Sequence, residues 1–270
     1  MKVKSWLFFV VCGFALLIWW VKINFVNGSP NVENYLFGVA YALIALVGGL
    51  NGIRISKKWG WNKSYLGLGI MFLSLGLLGE SFGQLTWAYF NLIKKVEIPY
   101  PSIADLGYFS IVPLYFISML YFSRVCGVTI SLKAFKKKII ALLIPMLMIS
   151  ISYYSFLRGQ TLDFSNPIKT FLDLGYPLGE AIYVSLAIIT LGLTTSVLGG
   201  SMKKKLLLVL IYFILQWLTD YSFLYSSGTG TYTNGGFVDL FYAISLVIGS
   251  IGITLFDRAS LTKTLSESSE

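Results

Sequence analysis

Two apolar stretches of the sequence each carry a carboxylate and an amide four residues apart. Glu80 and Gln84 lie in one stretch, and Gln216 and Asp220 lie in the other. Residues four apart share one face of an α-helix, so each pair forms a polar stripe on a predicted helix. Ionisable side chains inside a bilayer are unfavourable unless they are paired or hydrated, which makes these groups candidates for function.

The two carboxylates are predicted to lie at similar depth in the membrane. With a rise of about 1.5 Å per residue, Glu80 lies about 25 Å along its helix from Lys63, and Asp220 lies about 22 Å from Lys205. The hydrocarbon core of a bilayer is about 30 Å thick, so both groups fall in its outer half. No basic residue is predicted at that depth, and we therefore expect the two carboxyl groups to share a proton.

This pairing has two interpretations. It would serve proton coupling, cation binding or recognition of a polar ligand. Alternatively, protonated carboxyls and amides only form hydrogen bonds that hold helices together.

Further acidic and aromatic residues are predicted near the outer ends of the helices. The aspartates among them have a structural alternative, which is to cap helix N-termini by accepting hydrogen bonds from free N–H groups. The functional interpretation is that several of them converge on one outer pocket that attracts a cation or another ligand. No catalytic role is assigned, and the identity of any metal is left open. The candidate ligand-binding residues are Glu80, Gln84, Trp87, Asp105, Tyr108, Asp173, Glu180, Gln216, Asp220 and Asp239.

The stretch 98–108 predicts the start of one membrane helix. Its two prolines prevent a helix from running through it. Ser102 and Asp105 are both favourable residues at a helix N-terminus, where their oxygens meet free N–H groups and the positive end of the helix dipole. Weaker versions of this start recur at 171–176 and 237–242, and the weakest is at 33–35.

These starts predict an all-α integral membrane protein with eight transmembrane helices, arranged as four repeated αα-hairpins. Residues 1–256 are predicted to form one transmembrane domain, and residues 257–270 a disordered cytoplasmic tail. An alternative is that the first span is a cleaved signal peptide, which would leave seven helices and an outer N-terminus. The predicted spans are 6–26, 35–54, 65–92, 106–124, 139–157, 174–198, 206–225 and 239–256.

The amino-acid composition is typical of a membrane protein and argues against several classes of cofactor-binding protein. Hydrophobic residues make up 56% of the chain, charged residues only 12%, and the mean hydropathy is +0.74. Histidine is absent, which excludes His-ligated haem and His-containing zinc sites. The last predicted helix has no lysine to hold retinal, and no glycine-rich nucleotide loop is present. We therefore expect no cofactor.

The net charge of +9 reflects membrane topology and not nucleic-acid binding. When the loops are taken in alternation, 16 of the 21 basic residues fall on one side. The positive-inside rule then places both termini in the cytoplasm. Loops of this kind also contact an anionic lipid surface favourably, so the lipid bilayer is the expected partner of the basic clusters.

Residues 101–108, Pro-Ser-Ile-Ala-Asp-Leu-Gly-Tyr, resemble a turn of multi-helix sensory membrane regions in bacterial and archaeal signalling proteins. Those regions often show Pro-Ser-x-Ala-Asp-x-x-Tyr and precede cytoplasmic output domains, as in some diguanylate cyclases and histidine kinases. The likeness is close over the turn and loose over the third to eighth helices. It implies a membrane-embedded sensing module. Because no output domain follows Phe256, it also implies that the signal passes to a separate cytoplasmic or membrane partner.

The sequence therefore predicts a non-enzymatic, multi-pass protein of the cell (inner) membrane, of sensor or receptor type, with an outward-facing site for a cation or polar ligand. One alternative is a small ion- or proton-coupled transporter or channel that uses the same carboxylates. Another is a membrane scaffold subunit in which these groups only hold helices together. A transporter needs a polar path that also opens inward, whereas the cytoplasmic halves of the third and seventh helices are almost wholly apolar.

Overall fold

The computed structural model describes residues 5–27, 31–128, 135–159, 164–194 and 200–257. In these residues we find eight α-helices long and apolar enough to cross a membrane, and no strand. This agrees with the predicted all-helical, multi-pass membrane protein. Short π-helical turns extend α3 to Lys94 and α5 to Leu157. The helices are α1 (Ser5–Phe25), α2 (Val32–Lys58), α3 (Tyr65–Ala88), α4 (Ala104–Val125), α5 (Phe135–Ser152), α6 (Pro167–Thr194), α7 (Gly200–Gly228) and α8 (Phe237–Thr254).

Six of the helices form a closed ring. Around it, α2 packs on α3, α3 on α4, α4 on α6, α6 on α7, α7 on α8, and α8 back on α2. Outside the ring, α1 packs on α2 and α8, and α5 packs on α6. Both members of each predicted hairpin are therefore in contact, while the proposal that the hairpins are repeats stays a prediction.

Hydrogen bonds between connecting segments show which connections lie together. Trp20 on α1 donates to the carbonyl of Gly236 before α8 at 2.9 Å. The amide of Asn34 at the start of α2 and the indole of Trp87 at the end of α3 both donate to Asn234, at 2.9 and 3.1 Å. These contacts define one end of the bundle, which we call the loop end. Its predicted position on the outer side of the membrane stays a prediction, as does that of the termini.

The opposite end of the bundle is fastened by a different set of contacts. The indole of Trp59 donates to the carbonyl of Phe256 at 2.7 Å, and Lys58 pairs with Asp257 at 2.7 Å. Asp257 was predicted to begin a disordered tail but lies in this ion pair. The remainder of that tail, 258–270, lies outside the described residues, as do 195–198 of the predicted sixth helix.

Several helices are longer than predicted, and α6 matters most for the site. It begins at Pro167 and not near 174. Proline is favoured in the first turn of a helix, and the side chain of Asn166 accepts a hydrogen bond from the Lys169 N–H at 3.1 Å. Asp173 therefore lies inside α6, where it pairs with Lys169 one turn earlier at 2.8 Å, and it is not the helix cap.

At the ends of two other helices the predicted loops were also too long. The residues Lys203–Lys205, predicted as an inner turn, lie within α7, and α2 continues to Lys58. Basic side chains are favourable in the last turn of a helix and good helix formers in general. Charge at these positions therefore does not mark the end of the helix.

Candidate functional site

A cavity of about 980 Å³ occupies the loop end of the six-helix ring. Every ring helix contributes to its wall, and so do the connections between α3 and α4 and between α7 and α8. Eight of the ten predicted site residues line it: Glu80, Gln84, Trp87, Asp105, Tyr108, Asp173, Glu180 and Asp220. Residues that the sequence analysis placed near the ends of several helices therefore line one cavity.

The deep part of the cavity holds three buried carboxyl groups from three helices. Glu80 on α3, Glu180 on α6 and Asp220 on α7 are 3%, 2% and 5% exposed. No salt bridge within the described residues involves any of them. We call these three residues the floor carboxyls.

Gln216 joins two of the floor carboxyls. Its amide nitrogen donates to Glu80 at 2.7 Å and to Asp220 at 3.1 Å. Its amide oxygen accepts from the hydroxyl of Ser245 on α8 at 2.8 Å. Gln216 is fully buried behind the floor and does not line the cavity. The predicted stripes on the third and seventh helices therefore meet through this amide.

The three floor carboxyls differ in their hydrogen bonding. Asp220 accepts from the hydroxyl of Tyr242 at 2.9 Å in addition to Gln216. Glu180, in contrast, has one oxygen, Oε2, that is buried and has no hydrogen-bond partner among the described residues. Buried polar atoms in folded proteins nearly always have a partner. The unpaired oxygen therefore marks a place where a donor from outside the chain would be favourable.

The walls of the cavity are aromatic. Tyr41 on α2 stacks on Tyr242 on α8, with ring centroids 6.1 Å apart. Tyr232 from the α7–α8 connection lies edge-on to Trp87 and Phe223, at 6.2 and 5.1 Å. The aromatic lining residues are Tyr35, Tyr41, Trp87, Tyr100, Tyr108, Tyr176, Phe223, Tyr232 and Tyr242.

The rim is built from the stretch 98–108 that the sequence singled out. Asp105 accepts from the backbone N–H of Ser102 at 2.7 Å and from the hydroxyl of Tyr176 at 2.9 Å. Asp105 therefore holds the turn before α4 and also lines the cavity. Asp173 accepts from the hydroxyl of Tyr100 at 2.8 Å. Burial, and then the hydrogen bond to Asp173, raise the pKa of Tyr100, so this tyrosine remains a donor.

Asp239 lies behind the cavity wall and is not a lining residue. It accepts from the backbone N–H of Gly235 and from the hydroxyls of Tyr41 and Tyr232, at 2.5, 3.2 and 3.0 Å. Burial and the charge of Asp239 raise the pKa of Tyr232. Asp239 thus ties the α7–α8 connection to the first turn of α8, although it makes no hydrogen bond to the N–H groups of that turn.

Sequence reasoning missed most of the aromatic wall. It named only Trp87 and Tyr108, whereas Tyr41 on α2 and Tyr242 on α8 also line the cavity. The available signal was their spacing: Tyr242 lies three residues after Asp239, one turn along the same helix. Lys95 and Glu97, also missed, follow the end of α3 and lie at the cavity mouth.

The charge of the cavity is opposite to that of the whole chain. Among its described lining residues, six are acidic and only Lys95 is basic, although the chain has 21 basic and 12 acidic residues. Low-dielectric walls that carry one sign of charge concentrate counter-ions of the other sign. The cavity is therefore electrostatically suited to cations.

Beneath the floor, the ring is filled by large buried side chains. Tyr115 on α4 and Tyr212 on α7 are fully buried, and their hydroxyls are hydrogen-bonded to each other at 2.5 Å. Tyr183 and Phe213 are also fully buried and pack on Tyr115, with ring centroids 5.7 and 5.3 Å away. Within the described residues, these side chains close the bottom of the cavity.

Comparison of the chain with protein-family models, with curated proteins and with solved structures finds no match.

Proposed function

We propose that this protein is a non-enzymatic receptor or sensor of the cell membrane that binds a cation or a polar cationic ligand in the six-helix cavity. The observation that carries this proposal is the concentration of acidic groups there. Half of the acidic residues of the chain line the cavity, and three of them form a buried floor without a basic partner in the described residues. A bound cation would offset the repulsion among these groups.

The receptor interpretation is supported over the transporter by the closed bottom of the cavity. A transporter alternates between conformations that open to each side of the membrane, and a path inward would have to separate Tyr115 from Tyr212. The scaffold interpretation is disfavoured by the size of the cavity, since groups that serve only to join helices do not require an open space of about 980 Å³.

In this proposal, ligand binding is transmitted to a separate signalling partner. The partner would contact the end of the bundle opposite the cavity, where basic residues such as Lys57 and Lys58 end α2. The resemblance of the rim stretch 98–108 to sensory membrane regions supports the same interpretation.

The first test is thermal unfolding of the detergent-purified protein with a panel of inorganic and organic cations. Ligands that bind only the folded state raise the unfolding midpoint, by the equivalent of about 2.7 kcal/mol at a hundredfold excess over Kd. We expect at least one cation to stabilise the wild type and to lose this effect in the double variant Glu80→Gln/Asp220→Asn.

Glu33→Gln is the matched control for that experiment. Glu33 lies at the same end of the bundle but pairs with Lys22 at 2.9 Å and does not line the cavity, so its loss should leave the response to cations intact. Absence of any cation response in the wild type, combined with unchanged stability of the double variant, would exclude the proposed site.

A further inference from the structure

The hydrogen bonding of the floor restricts which cation fits the cavity. The two N–H groups of the Gln216 amide are directed to Glu80 and Asp220, at 2.7 and 3.1 Å. None is left for Glu180, whose Oε2 has no donor within the described part of the chain. A buried acceptor without a donor is unfavourable. The missing partner is therefore an N–H or O–H donor, and the acidic lining of the cavity favours one on a positively charged group.

The walls add a second restriction. Nine aromatic side chains of the described residues line the cavity, and cations are attracted to the faces of such rings. A metal ion instead prefers several oxygen ligands at short distance. The described residues include no group of three or more Asp, Glu, His or Cys side chains placed to hold a metal. Aromatic walls above separated carboxyls therefore favour an organic cation.

The size of the cavity adds a third restriction. Its volume of about 980 Å³ is at the upper end of the range of about 300–1,000 Å³ for small-molecule pockets. A bare ion or a small ammonium ion would leave most of the aromatic surface without contact. An occupant with an apolar or aromatic body would cover it.

We propose that the ligand is a protonated primary or secondary amine with an aromatic or apolar body. Its ammonium group donates a hydrogen bond to Glu180 and lies among the floor carboxyls, while its body contacts the aromatic wall that includes Trp87 and Tyr232. This inference rests on the proposed cation site and specifies its chemical class.

The test compares three probes that share one body: tryptamine, its quaternary N,N,N-trimethyl analogue and the neutral alcohol tryptophol. The same comparison is made with phenethylamine and its counterparts. Binding to the detergent-solubilised full chain is measured by titration calorimetry and by the shift of the unfolding midpoint. We expect the amine to bind at least tenfold more tightly than the quaternary analogue and the alcohol not to bind, because only the amine carries N–H donors on its charged group. All three indole probes keep the ring N–H, so the phenethylamine series, which lacks it, must show the same order.

The variant Glu180→Gln should weaken amine binding at least tenfold, whereas Glu33→Gln should leave it unchanged. If Glu180→Gln does not fold, the comparison of amine, quaternary analogue and alcohol on the wild type still decides the question. Equal binding of the amine and the quaternary analogue would overturn the assignment of Glu180 as acceptor.

The failure of this inference can be distinguished from failure of the proposed function. If no amine binds but Na⁺, K⁺ or Ca²⁺ raises the unfolding midpoint in a way that Glu80→Gln/Asp220→Asn abolishes, the amine inference is wrong and the cation site stands. If none of these probes shifts the midpoint of the wild type, both are wrong.

Discussion

At the scale of single residues, Gln216 determines how the floor carboxyls are arranged. It is fully buried and uses both ends of its amide, donating to Glu80 and Asp220 and accepting from Ser245. Replacing one member of such a buried network leaves the others without partners, which costs more than the hydrogen bond itself contributes. Gln216 therefore positions the carboxyls, a role that differs from the ligand contacts proposed for the carboxyls themselves.

We predict that Gln216→Met destabilises the protein by about 1–3 kcal/mol, because methionine keeps the volume but leaves the carboxyls without a donor. Thermal unfolding in detergent measures this loss. Gln84→Met is the matched control. Gln84 accepts from Tyr108 at 2.7 Å but is only partly buried and lines the open cavity, so its replacement should cost less. Equal stability of Gln216→Met and the wild type would show that the amide bridge contributes nothing to folding.

Some of this site was predictable from residue types, and some was not. The distances of Glu80 and Asp220 from the basic anchors were sufficient to predict that the two residues lie at similar depth. That estimate depends only on the rise per residue and the bilayer thickness. The unpaired oxygen of Glu180 was not predictable, because it depends on the rotation of α6 and on where the Gln216 amide points. The site residues themselves stay predictions until binding is measured.

At the scale of helices, small residues allow α3 and α4 to approach until their backbones touch. A Cβ added to Gly107 would lie 2.5 Å from the Gly79 carbonyl oxygen and 2.6 Å from the Gly83 nitrogen, and neither backbone atom can move away alone. Close contact of this kind is a common basis of helix packing in membranes. It fixes α4, and with it Asp105 and Tyr108, against the helix that carries Glu80.

We therefore predict that Gly107→Ala destabilises the protein by about 1–3 kcal/mol, the usual cost of overpacking, and weakens binding of any cavity ligand by separating α3 from α4. Gly192→Ala is the control, because a Cβ at Gly192 on α6 meets no atom of the described residues within 4 Å. Alanine is a better helix former than glycine by about 1 kcal/mol, so this variant should be neutral or more stable. Thermal unfolding of both variants checks the prediction, and equal effects would contradict it.

The helices themselves were largely predictable, and their ends were not. Long apolar runs separated by polar loops indicated eight spans, and the described residues contain eight. The early start of α6 depended on Asn166 and Pro167, which sequence reasoning had placed in a loop because Asp173 resembled a cap. The helix is therefore capped at Asn166 and not at Asp173, which lies seven residues later.

At the scale of the whole molecule, the ring of six helices separates residues that line the cavity from residues that face outward. Most of α1 and α5 is exposed outside the ring, with only 22% and 11% of their spans buried. The cavity lies at one end of the ring, and the contacts Trp59–Phe256 and Lys58–Asp257 close the other. Closure of the ring through α2 and α8 was not predictable, because hydrophobic periodicity gives the number of spans and not their neighbours.

The charge distribution predicts which end of the bundle faces the cytoplasm. Basic side chains cluster at the end opposite the cavity, and the positive-inside rule places that end inside. We predict that a cysteine at Glu97, exposed at the cavity mouth, reacts with a membrane-impermeant maleimide on intact cells. A cysteine at Asn62, exposed in the connection between α2 and α3, should react only after permeabilisation.

The parent chain is the background for that experiment, since Cys126 is buried and Cys12 half-buried in α1. Labelling of Glu97→Cys alone on intact cells would place the acidic cavity outside, where an extracellular cation has direct access to the floor carboxyls. Labelling of Asn62→Cys alone would place the cavity in the cytoplasm. The proposed receptor would then have to detect an internal ligand, and the positive-inside assignment would be wrong for this chain.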